Sequence, residues 1–287
     1  MELYVNAMGH DKLRKFAENE TFACLVQPVT RELLTDGYFS LHDHDLKGRW
    51  GAFFGLRRPL VLELGCGKGE YTVALGEREP DKNHVGVDIK GARLWKGAKY
   101  ATFHNMDNVA FLRTRIEFIE AFFGPAEVDE IWLTFSDPQI RKENARLTSP
   151  LFLERYRKFL KPGGIVHLKT DSRFLHEYTK ALCSANGLAV LSCTEDLYGG
   201  REDSGVPAVA REVQTFYENI FLGQGYRINY MAFTLDHEGP FVSPSDFDAD
   251  YWRSREGDRQ LFGRDTAETR RQKLARKESN VEMESGA

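Results

Sequence analysis

The 287-residue chain predicts an α/β domain built on a mostly parallel sheet with helices on both faces. Three observations carry this. Short apolar runs of strand length alternate with longer stretches of helical spacing. The runs are nearly unbroken in apolar residues, as strands buried on both faces are. A glycine-rich turn, "LGCGKGEYT", follows the first run, at the end of a strand where open parallel sheets bind ligands.

Residues 1–58 are mixed in composition, with turn signals in "LTDGYFSLHDHDLKGRWG", and are expected to form an extension packed on or near the core. Residues 60–64 form the first predicted strand, and 70–78 a helix stopped near Pro80. "HVGVD" (84–88) is a second strand. The helix after it, within "IKGARLWKGAKY", carries Lys90, Arg93, Lys96 and Lys99 three residues apart, which on a helix makes one basic stripe suited to phosphates. Residues 109–113 form a third strand, followed by an apolar helix over "EFIEAFFG". "IWLTF" (131–135) is a fourth. "SPLFLERYRKFLKPGG" has Ser149 as N-cap, Pro150 in the first turn and a glycine stop. "IVHLK" (165–169) is a fifth strand, 173–186 a helix, and 226–235 a late strand that closes the domain spanning 59–239.

From Pro240 the composition turns strongly charged with no core-forming period. Residues 240–287 read as a peripheral extension, mobile toward its end, and the charge of the basic run "TRRQKLARK" within it is nearly cancelled by acids elsewhere in the tail, which weighs against RNA contact there. The whole chain carries a net charge of −4, so any nucleic-acid contact rests on local basic patches. Apolar residues make up 41%, enough for a large core, but no window is long enough to span a membrane. The opening residues predict no export signal. The four cysteines form no C-x-x-C pair and have no histidine cluster at metal-ligand spacing. They predict no metal and a reducing, cytoplasmic setting.

The glycine loop places Gly65, Gly67 and Gly69 at alternate positions rather than in the G-x-G-x-x-G spacing of a dinucleotide site. Glu70 opens the next helix, where its charge opposes a pyrophosphate. Glu63 precedes the loop within an apolar run, and Asp88 ends the second strand, where an acid accepts both hydroxyl hydrogens of a ribose. Together these acids and glycines suit S-adenosylmethionine, which carries an ammonium and a sulfonium and has no phosphate. A second constellation follows the fourth strand. Asp137-Pro138 stands beside Arg141, Lys142 and Arg146, an acid for the N–H edge of a base next to cations for phosphates.

These stretches resemble the bacterial tRNA (guanine-N7-)-methyltransferase family. The likeness runs over about residues 6–235, through "KLRKFAEN", "LVLELGCGKGEYT", "GVDIKGARLWKGA", "IWLTFSDP", "FLKPGGIVHLKTD" and "VQTFYENIFLGQGYRINY". It implies a Rossmann-like, S-adenosylmethionine-dependent class I fold with a seven-stranded sheet, and methyl transfer to N7 of a guanine, position 46, in the tRNA variable loop. It implies that Glu63, Gly65, Gly67, Asp88, Arg115 and Asp137 line the donor site, with Asp137 also at the catalytic centre. Arg141 or Lys142, Asp171, Thr215, Tyr217 and Glu218 are implied to contact tRNA. Two positions depart from the pattern. Gln139 replaces an aromatic residue after Asp137-Pro138, and Arg115 replaces an acid that contacts adenine, a contact then left to the backbone at 115–116. The rival readings are an amino-group methyltransferase on a nucleobase and a tRNA-binding protein without catalysis. Monomer and homodimer both remain open.

Overall fold

A computed structural model describes residues 2–35, 40–199 and 205–256. The basic run "TRRQKLARK" lies outside them. The centre is one eight-stranded sheet. In chain order its strands are β1 (Leu25–Val26), β2 (Leu60–Leu64), β3 (Asn83–Asp88), β4 (Val109–Arg113), β5 (Val128–Thr134), β6 (Leu160–Thr170), β7 (Val190–Thr194) and β8 (Asn229–Thr234). Their spatial order is β1-β4-β3-β2-β5-β6-β8-β7. β8 is antiparallel to both its neighbours, and the other pairings are parallel. β2 to β5 and β6 is one ladder in register, with Glu63 opposite Trp132 and Trp132 opposite His167. The order reverses between β2 and β5, so the crevice at their carboxyl ends is the topological switch point.

The six strands legible in the sequence are joined by β1 and β7. β1 is only two residues long, pairing Leu25 with Phe111 and Val26 with Leu112. β7 is an edge strand with Val190 and Leu191 exposed, so it lacks the buried apolar run that marked the others. The helices are α1 (Glu2–Asn19), α2 (Glu70–Arg78), α3 (Gly91–Phe103), α4 (Pro150–Tyr156), α5 (Arg173–Ala185), α6 (Phe216–Gly223) and α7 (Ala249–Arg255), with shorter helical turns between. The stretch expected to be an α-helix at "EFIEAFFG" is a 3₁₀ helix, Ile116–Ala121. Ile116, Ile119 and Phe122 recur every third residue, and in a 3₁₀ helix such residues eclipse one another on one face; that face packs into the core.

One sheet face packs Leu62, Leu64, Val85, Ile131, Val166 and their neighbours against α4 and α5; the other packs Val61, Trp132 and Tyr230 against α2 and the 206–213 segment. α1 lies on α3, where Asn19 donates to the Gly91 carbonyl and Trp95 donates to Glu18. Residues 240–256 are ordered against α4 and α5. Phe241 is buried and its N–H is accepted by Glu154.

Candidate active site

The loop after β2 owes its path to its glycines. Gly65, Gly67 and Gly69 have φ of 82°, 58° and 71°, the left-handed region that costs other residues about 1–2 kcal/mol. Gly65 and Gly67 face open space, since a Cβ at either would meet no atom within 4 Å. A Cβ on Gly69 would come within 2.4 Å of the Phe111 ring. Two glycines therefore leave a cradle and the third lets α2 pack on the sheet. Asp88 closes the cradle. Its Oδ2 accepts the Gly67 N–H at 3.0 Å and its Oδ1 accepts the Lys90 N–H at 2.8 Å. A carboxylate offers about four acceptor positions, so capacity remains for ribose hydroxyls. This open backbone and strand-end acid fit S-adenosylmethionine.

Glu63 serves the same cradle from beneath. It is buried, with one oxygen accepting from the N–H of Thr72 at 2.8 Å and from its hydroxyl, and the other accepting from Thr134 Oγ1 at 2.5 Å. Burial pushes its pKa up, and those three donors pull against the rise. Its carboxylate thus ties β2, α2 and β5 together at the switch point, a bracing role that its position in the sequence does not reveal.

Asp137 sits exposed on the loop after β5. Its Oδ1 accepts the Gln139 N–H at 2.9 Å. Two non-glycine residues flank it in the left-handed region, Phe135 at φ 49° and Gln139 at φ 45°, a conformation costing about 1–3 kcal/mol each that surrounding structure must enforce. Arg146 supplies part of that enforcement. It is buried at 4% exposure, donates to the carbonyls of Pro138 at 3.1 Å and Ile140 at 3.0 Å, and lies over the rings of Phe174 and Tyr178. Of the basic cluster read from the sequence, Arg141 and Lys142 are exposed, whereas Arg146 is turned inward to shape the loop.

Asp171 follows the end of β6, buried at 8% exposure. Thr215 caps α6: its hydroxyl accepts the Glu218 N–H at 3.2 Å while Glu218 accepts the Thr215 N–H at 3.3 Å, a reciprocal capping box. Glu218 was expected at the RNA surface. The structure buries it completely, in an ion pair of 2.8 Å with the equally buried Lys169 and with Tyr198 donating to it. Lys169 also donates to the Val213 carbonyl. Glu218 therefore supports the segment from within, and Phe216 and Tyr217 are the exposed residues of "TFYE". The Phe216 N–H is accepted by Glu70 at 3.2 Å, and the other Glu70 oxygen pairs with Lys96 at 2.7 Å. Glu70 thus pins the 215–217 segment beside the glycine loop.

Arg115 follows the end of β4 and opens the 3₁₀ turn. Its guanidinium pairs with Glu117 at 3.1 Å and its carbonyl accepts the Phe118 N–H at 2.9 Å. Neighbouring parallel strands carry the other groups to one edge of the sheet: Gly65, Gly67 and Asp88 after β2 and β3, Asp137 after β5, Asp171 after β6. Sequence reasoning missed Lys169, Thr72, Thr134 and the inward turn of Arg146. Only Lys169 left a signal, being a lysine inside an apolar strand, which demands a partner. Among the described residues there is no group of side chains arranged to hold a metal, and no helix long and apolar enough to cross a membrane.

An eight-stranded sheet with one antiparallel strand and a glycine cradle at the switch point defines a class I methyltransferase. A 16S rRNA methyltransferase, KamB, shares the fold, with a TM-score of 0.50 at 14% identity over 72% of this chain and 98% of that one. A family described as "Putative methyltransferase" matches residues 57–215. The chain is 48% identical over 252 residues to a tRNA (guanine-N(7)-)-methyltransferase of Bacteroides thetaiotaomicron, covering 86% of this chain and 95% of that protein. A protein of the same name from Christiangramia forsetii is 50% identical over 228 residues, 78% of this chain and 98% of its own length. The chain belongs to the tRNA (guanine-N(7)-)-methyltransferase family.

Proposed function

We propose that this enzyme transfers a methyl group from S-adenosylmethionine to N7 of a guanine in tRNA, at position 46 of the variable loop, in the cytoplasm. One observation carries the reading beyond family membership. Asp137 stands exposed on a loop held in strained backbone, across the switch point from an open glycine cradle. Strain maintained at such a loop supports a positioning role.

Gly65, Gly67 and Asp88 would hold the donor, which supplies an electrophilic methyl on a sulfonium. Guanine N7 has an in-plane lone pair and no proton, so the chain needs no general base. Its contribution is orientation and charge. Asp137 accepts from the N–H edge of the guanine and stabilises the positive charge that grows on the imidazole ring. Asp171, Thr215 and Tyr217 line the acceptor side, Arg141 and Lys142 bind phosphate, and Glu218 and Lys169 hold the 215–217 segment. Arg115 serves through its backbone alone.

The test is mass spectrometry of nucleosides from tRNA incubated with the protein and labelled donor. It is paired with borohydride and aniline cleavage, which breaks the strand at N7-methylguanosine. Asp137→Ala is expected to slow the reaction about 100-fold, the scale for losing one preorganised charge contact, with donor binding retained. Methyladenine as the product supports the amino-group rival instead, and donor binding without any methylated nucleoside supports a binding protein without catalysis.

A further inference from the structure

The docked part of the C-terminal extension, 240–256, touches the turn after Asp171 directly and connects to the Asp137 loop through side chains of α5. At its far end Glu256, 7% exposed, accepts the Ser172 hydroxyl on one oxygen and the Phe174 N–H at 2.8 Å on the other. Ser172 is the N-cap of α5 and directly follows Asp171; its own Oγ accepts the Leu175 N–H at 3.0 Å. A carboxylate at this place satisfies an orphan donor of the helix and meets the positive end of its dipole. It therefore fixes where the turn after Asp171 sits.

Phe247 connects to the second loop through α5. Its ring meets Phe174 and Tyr178 edge-on, with centroids 5.2 Å and 5.4 Å away. Those are the two rings beneath the Arg146 guanidinium, at 4.8 Å and 4.3 Å, and Arg146 holds the carbonyls on either side of Gln139. A path of direct contacts thus runs from Phe247 through Phe174 and Tyr178 to Arg146 and the Asp137 loop. The extension is anchored for this purpose near its start, where Asn186 exchanges two hydrogen bonds with the Val242 backbone at 2.8 and 2.9 Å.

We propose that Glu256 and Phe247 are positioning residues of the methyl-transfer site: the extension braces the Asp171 turn and the Asp137 loop in the geometry that receives the base. This rests on the function proposed above. Both residues act through α5 and the turn after Asp171, so the brace acts on the acceptor side and leaves donor binding alone. Glu256→Gln keeps one oxygen for the Phe174 N–H and an amide that can donate to the Ser172 hydroxyl, and so retains most of the brace.

The experiment uses the full chain with Glu256→Ala, Phe247→Ala and Glu256→Gln, each assayed at a temperature where circular dichroism shows it folded. Kinetics are measured with tRNA, and S-adenosylmethionine binding by calorimetry. Glu256→Ala and Phe247→Ala are expected to lower kcat about tenfold, below the ~100-fold that a misplacement of about 1 Å costs. Donor Kd and the KM for tRNA stay within about twofold, and Glu256→Gln recovers most of the loss. Wild-type kcat in both alanine variants overturns the proposal. Loss of donor affinity in step with kcat also overturns it, because the extension would then merely support the fold. Wild-type protein that leaves guanine unmethylated defeats the proposed function instead, and the two failures are told apart by the wild-type arm.

Discussion

Lys169 and Glu218 form an ion pair at 2.8 Å with no exposed surface on either side chain, and Lys169→Met tests what that pair does. Burial pushes the Lys169 pKa down, and the Glu218 carboxylate opposes the drop. Removing one partner of a buried pair costs about 3–5 kcal/mol, because the other charge is left in a low dielectric without compensation. Glu218 would keep the Tyr198 hydroxyl at 2.5 Å and the Thr215 N–H at 3.3 Å, which sets the expected cost at the lower end, about 3 kcal/mol. The double variant Lys169→Met/Glu218→Gln carries no buried charge and retains an acceptor for Thr215. It is expected to regain about 2 kcal/mol of that loss, since replacing both members of a buried pair is often neutral. Urea unfolding followed by circular dichroism reads both values by linear extrapolation. The single variant should also raise the KM for tRNA, because the capping box presenting Tyr217 loses its support. A single variant within about 0.5 kcal/mol of wild type would refute the reasoning. So would a double variant less stable than the single one, since the two side chains would then contribute independently.

Three further outcomes follow from the geometry. Gly69→Ala drives a Cβ within 2.4 Å of the Phe111 ring and should lower stability by about 2–3 kcal/mol; Gly67→Ala meets no atom and should cost about 1 kcal/mol while weakening donor binding, and calorimetry with thermal melts separates the two. His84 is 1% exposed and burial lowers its pKa from 6.5 to about 4. A depressed folded pKa gives stability that is present above pH 6.5 and lost as pH falls through about 4, roughly 3 kcal/mol in all; His84→Gln should flatten urea-midpoint profiles over that window, and an unchanged slope would exclude His84 as the cause. Affinity for tRNA should fall log-linearly with salt as phosphate contacts release counterions, and filter binding that stays flat between low and moderate salt would remove Arg141 and Lys142 from that role.

The strands, their parallel arrangement and the glycine cradle were legible because each rests on a local rule. Strands buried on both faces are apolar along most of their length, and a left-handed backbone favours glycine. The acids at strand ends were legible too, since topology alone carries Asp88, Asp137 and Asp171 to one edge. The partners of those side chains were not, because they are fixed by residues far apart in the chain. Arg146 reads as one more cation beside Arg141 and Lys142, yet the rings of Phe174 and Tyr178 and two carbonyls draw it inside. Glu218 reads as an exposed helix acid, and its burial rests on the lysine on β6 together with the Tyr198 hydroxyl and the Thr215 N–H. The basic stripe shows the same limit at the surface. Its spacing on α3 was readable, but Lys96 is met by Glu70 and Lys99 by Glu18 at 3.0 Å, acids from α2 and α1. Exposed pairs of this kind are worth about 0–1 kcal/mol, so phosphate can compete for these lysines at little cost. The stripe's value to RNA therefore depends on which anion wins locally, a balance set by neighbouring helices rather than by the spacing of the lysines.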